Sequence, residues 1–106
     1  MAHPIDEERG KEWARIRAVE LAAEQGITDL RTTWGHSEER RDFDFGRWTL
    51  ALKTGGVRKL VPFDADDLED CAEPDGGQRP AVERILRRTV EALAAEVKAA
   101  KGKGGK

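Results

Sequence analysis

Arg47-Trp48-Thr49-Leu50-Ala51-Leu52-Lys53-Thr54-Gly55-Gly56-Val57-Arg58-Lys59-Leu60-Val61-Pro62-Phe63 decides the fold of this 106-residue chain. Two runs of strand-forming residues flank a Gly-Gly pair, and a two-residue loop of that composition favours a hairpin turn with positive φ. Loop length then sets every partner: Thr54 with Val57, Leu52 with Lys59, Leu50 with Val61 and Trp48 with Phe63 on one face. The other face pairs Lys53 with Arg58, Ala51 with Leu60 and Thr49 with Pro62. The first face is core and the second is wet. Lys53 opposite Arg58 is a like-charge pair, mildly destabilising unless it splays into water or an anion binds there.

Upstream, Phe43 and Phe45 alternate on odd positions while Trp48, Leu50 and Leu52 alternate on even ones. A bulge at Gly46 would restore all five to one face, which predicts a long, bent middle strand from about Asp42 to Lys53. Ile27 to Trp34 reads as a first strand, with Leu30, Thr32 and Trp34 alternating against Arg31 and Thr33. Gly35 to Asp42 is polar enough to be the connection. Pro62 cannot donate to a ladder, so its strand belongs at an edge, and a meander in the order one, two, three satisfies this.

Acidic Asp6, Glu7 and Glu8 precede a stretch of helical composition that closes at Gly26, predicting a helix over about Asp6 to Gln25 with Gly10 weakening its start. Trp13, Ile16, Val19 and Ala23 share one broad face, the expected sheet contact. Ala14, Ala18 and Leu21 form a second stripe on a different face, at i, i+4 and i+7, the expected self-association contact. After the third strand, Asp64 is placed to cap a short helix through Leu68 to about Cys71, with Asp66 and Asp67 in its first turn. Pro74 and Gly76-Gly77 make a loop, and Pro80 opens a last helix whose Val82, Leu86, Val90, Leu93 and Val97 form one stripe, with Ile85 at its edge. The sum is an α+β domain: a three-stranded antiparallel β-meander packed against an N-terminal and a C-terminal helix (α-β-β-β-α), with a short helix after strand three. Residues 1–100 make the single domain, and the glycine- and lysine-rich 101–106 are expected to be a flexible basic tail.

Charged and hydrophobic residues each make up 38% of the chain, which suits a small globular domain with a modest core. No apolar run approaches the roughly 18 to 20 residues of a membrane span, so the expectation is no membrane and a cytoplasmic location. One cysteine, Cys71, allows no internal disulfide. The net charge of −2 offers no general attraction for nucleic acid, yet the charge is sorted along the chain. Asp64 to Asp75 holds seven carboxylates and no base, and Arg79 to Lys106 holds eight bases against Glu83, Glu91 and Glu96.

Catalytic chemistry has little to stand on. His3 lies near a terminus and His36 in a polar loop, and no local signature joins Cys71 to either. The acidic run lacks the alternation, glycine and distant glutamate of a calcium loop, and neither Gly-Gly pair sits in a strand-to-helix turn with the lysine and hydroxyl of a phosphate loop. No enzyme activity, cofactor or metal is therefore expected. What remains is the outer sheet face, where Arg47, Lys53 and Arg58, with Arg31 alongside, are candidates for anion or nucleic-acid binding. That face has no clear aromatic platform for stacking bases. The element order is that of double-stranded-RNA-binding domains, but their Gly-Pro-x-His loop and lysine-rich last-helix start are replaced here by Gly55-Gly56 and Pro74-Asp75. The sequence thus points to a small non-enzymatic binding or regulatory module that associates with itself or a protein partner; the alternative is a nucleic-acid binder using the sheet face and tail.

Overall fold

The hairpin forms as its loop dictates. In a computed structural model describing residues 4–36 and 47–104, Gly55 and Gly56 both take positive φ, at 56° and 82°. Strands β2 (Arg47–Thr54) and β3 (Val57–Asp64) pair antiparallel from Thr54↔Val57 to Trp48↔Phe63 and on to Arg47↔Asp64. Strand β1 (Arg31–His36) adds on the other side of β2 in the order β1-β2-β3, with Pro62 on an edge strand. The bulge expected at Gly46, with Phe43 and Phe45, lies outside the described residues, as do His3 and the last two residues of the tail.

Helix α1 (Pro4–Glu24) ends in a Schellman motif that explains why the first strand starts later than expected. Gly26 at φ 85° donates to Ala23 O at 3.0 Å and Ile27 donates to Ala22 O at 2.9 Å. Ile27 is buried beside Ala22 as the apolar closure of that cap, so residues 27–30 are a connection and pairing begins at Arg31. Helix α2 (Ala65–Asp70) follows β3 directly, and α3 (Arg79–Gly104) runs four residues into the stretch expected to be tail. Asp64 occupies the N-cap of α2 but makes no side-chain cap bond. Its carboxylate turns instead to Arg47, 3.1 Å away.

Both long helices pack on the face of the sheet that carries Leu50 and Leu52 of β2. Leu50, Leu52, Val61 and Phe63 meet Ala14, Ala18 and Leu21 of α1 and Val82, Leu86, Val90 and Leu93 of α3. The two faces proposed for α1 are therefore exchanged. Ala14, Ala18 and Leu21 are 0–1% exposed inside the single chain and cannot be a contact between copies. Ile16 and Val19 are 42% and 38% exposed, Ala23 is exposed, and Trp13 is half-buried. The reason is crowding: α1 touches α2, α3 and the core, and small side chains let it approach all three. Gly10 shows how close, since a Cβ there would stand 1.6 Å from Leu68 O of α2.

Candidate binding face

The face of the sheet that carries Lys53 of β2 and Arg58 of β3 is covered by no helix among the described residues. Register brings Arg31, Lys53 and Arg58 into one cross-strand row, Arg31↔Lys53↔Arg58, beside the Gly55-Gly56 turn. With strands about 4.8 Å apart, three cations lie across roughly 10 Å. All three side chains are exposed, and none has an ion-pair partner among the described residues. The next rows are Thr33–Ala51–Leu60 and Gly35–Thr49–Pro62, a shallow floor with Leu60 55% exposed.

Arg47 does not join this row. It lies six residues along β2 from Lys53, roughly 20 Å at strand rise, and its Nε donates to Asp64 Oδ1 at 3.1 Å. The basic patch read from the sequence is thus three residues, with the fourth neutralised at the far end. Trp34, Trp48 and Phe63 all belong to the opposite face, so the outer face is without an aromatic platform among the described residues.

Charge is sorted along α3 as it is along the sequence. At its N-terminus, the Gln78 backbone N–H donates to Asp70 Oδ2 at 2.6 Å and Arg79 Nε donates to Cys71 O at 2.8 Å, within the Asp64–Asp75 acidic stretch. Near its other end Val97 lies under Gly55, so Lys98 shares an end of the molecule with the Arg31 row. Between these ends Arg17 of α1 donates to Glu83 of α3 at 2.9 Å and to Glu20 at 2.9 Å, and Arg87 meets Glu83 and Glu24 at 3.2 and 3.6 Å. Arg17 first, then Arg87, hold the Glu83 carboxyl below its usual range. Arg17, Glu20, Glu83 and Arg87 line an open groove of about 610 Å³ with Trp13, against which Arg79 stacks at 4.7 Å. Much of the groove's charge is matched from within.

Cys71 is fully buried, and desolvation, reinforced by Asp70, pushes its thiol up to about 11. It is therefore neutral near pH 7 and a poor nucleophile. No group of three or more metal-ligating side chains occurs among the described residues, and no described helix is long and apolar enough to cross a membrane.

One cluster escaped the sequence reading. Lys11 is 7% exposed, its Nζ 3.3 Å from the centre of the Trp48 ring, 6.0 Å from that of Trp34 and 2.9 Å from Glu8 Oε2. It falls in line with Ala14, Ala18 and Ala22, and a lysine within that stripe was the available signal. Trp34 Nε1 is buried there without a hydrogen-bond partner among the described residues. Compared with protein-family models, curated protein sequences and solved structures, the chain finds no match.

Proposed function

We propose that this chain is a non-enzymatic binding module that holds a protein partner with an acidic segment on the open face of its sheet. The observation that supports this reading is the row Arg31–Lys53–Arg58, three neighbouring cations without a counter-ion among the described residues, on a face that no described helix covers. Like charges opposite one another on a sheet destabilise it, and an anionic partner reverses that penalty. Exposed Leu60 and Pro62 beside the row add apolar contact of the kind a protein segment uses. A second reading, nucleic acid, draws on Lys98 of α3 at the same end; the placement of the aromatics on the other face argues against base stacking.

The test is capture from the native host with and without nuclease, followed by mass spectrometry, using wild type and Lys53→Ala combined with Arg58→Ala. The expected result is a partner that survives nuclease and is lost with the double variant. Loss on nuclease treatment, with salt-sensitive binding of labelled duplex or single strand, supports the second reading instead. Capture unchanged in the double variant removes the sheet face from both.

A further inference from the structure

The groove between α1 and α3 is walled by two facing stripes, Trp13, Arg17 and Glu20 on α1 and Pro80, Arg84 and Arg87 on α3, each set at i, i+4 and i+7. Four guanidiniums, of Arg17, Arg79, Arg84 and Arg87, stand there against the carboxylates of Glu20 and Glu83, a surplus of two positive charges in the lining. The pairing shows where that surplus sits. Arg17 holds both Glu20 and Glu83, and Arg87 is shared between Glu83 and Glu24. Arg79 and Arg84 have no carboxylate partner among the described residues.

Arg79 is fixed before any ligand arrives. Its guanidinium carbon stands 4.7 Å from the centre of the Trp13 ring, and its Nε donates to Cys71 O at 2.8 Å. Those contacts take up one face of the group and one donor, and they leave its two terminal nitrogens as an end-on fork that matches two oxygens of an oxyanion. A side chain held in this way loses little freedom on binding. Arg84 starts roughly 8 Å further along α3, close enough for both long side chains to meet one group. The neighbouring acidic stretch does not cancel the pair: Asp70 is turned to the Gln78 N–H at 2.6 Å and Glu73 to Arg9 at 3.8 Å.

We infer that this groove takes a phosphate monoester, with Arg79 and Arg84 holding the phosphate oxygens and Trp13 and Pro80 carrying the organic part. Charge selects phosphate among the oxyanions: a monoester carries about −1.5 to −2 near pH 7, which matches the surplus of two, whereas a single carboxylate leaves one guanidinium unmatched. The groove, about 610 Å³, has room for more than the phosphate itself, and half-buried Trp13 and exposed Pro80 supply apolar surface for what is attached to it. A phosphorylated small molecule and a phosphorylated protein side chain present the same group. Helices α1 and α3 lie on the face of the sheet away from the Arg31 row, so this site is separate from the one proposed above.

Titration of the full chain followed by heteronuclear NMR, read at the arginine Nε–H and tryptophan indole signals, tests this at constant ionic strength. The probes are phenyl phosphate, benzoate, which keeps the ring but carries one carboxylate, and a short phosphoserine peptide. Saturable shifts at Arg79 and Trp13 are expected with phenyl phosphate, and benzoate is expected to bind about tenfold more weakly or worse. Arg84→Ala, at an exposed position without a partner, should raise the dissociation constant by about tenfold, with circular dichroism unchanged. Lys53→Ala combined with Arg58→Ala should leave it as in wild type. Tighter binding of the peptide than of phenyl phosphate assigns the group to a modified protein, and the reverse order assigns it to a free phosphate ester. Absence of a saturable shift at Arg79, benzoate binding equal to phenyl phosphate, affinity unchanged in Arg84→Ala, or affinity lost in the sheet variant instead overturns the inference. The sheet-face reading is judged by partner capture and stands or falls without this site.

Discussion

Gly10 sits where two helices cross with no room for a methyl group, against a backbone carbonyl that cannot rotate aside. Gly10→Ala forces α1 and α2 apart, and overpacking of this kind typically destabilises by about 1–3 kcal/mol, outweighing alanine's better helix propensity. Urea denaturation should show the loss; a midpoint at or above wild type would mean the crossing yields freely. Lys11 beside it illustrates a different limit. Its surroundings are two tryptophans from separate strands, so its burial depends on a tertiary neighbourhood that local pattern does not contain. The paired glycines of the hairpin were legible because their task is local: each must reach positive φ, and each does.

Among elements, the hairpin was readable to the last pair because one loop length fixes a parity and parity fixes all partners. Helix α1 was not, since it carries apolar residues on two faces and the larger set was taken for the core. Three-sided packing reversed that preference in favour of Ala14, Ala18 and Leu21. The acidic stretch was readable as a charge pattern, and the register already set Arg47 opposite Asp64, but that the carboxylate would bond across the strands and leave the helix end uncapped was not. The junction of α1 with α3 has a pH signature. Glu83 titrates below its unfolded value, so the stability it contributes is full above the unfolded pKa and is lost as pH falls through the lower folded one. Glu83→Gln is expected to lower the denaturation midpoint at neutral pH and to match wild type in strong acid. Asp67 runs the other way: burial first, then Asp64, Asp66 and Asp70, raise its folded pKa, so it is least favourable above that value and is relieved as pH falls. Asp67→Asn should therefore raise the midpoint at neutral pH, the gain vanishing below the unfolded pKa. A Glu83→Gln deficit that persists in acid would show that shape rather than charge holds the helices together.

Across the whole molecule, the near balance of charge conceals an arrangement. Acidic residues gather where α3 begins and bases where it approaches the hairpin turn, in a body 52 Å long. A net charge of −2 by itself repels an anion, and added salt would then speed their encounter. Separated charge of opposite sign gives the chain an electric dipole moment, and an approaching anion exerts a torque that turns the hairpin end toward it before contact. With a labelled polyglutamate peptide as probe, stopped-flow association rates should fall as salt rises. Rates that climb with salt would mean that the total, and not its distribution, governs approach. The turn of two glycines at the hairpin end is then the leading end of a molecule that arrives already oriented, so productive encounters need less rotational searching than its formal charge implies.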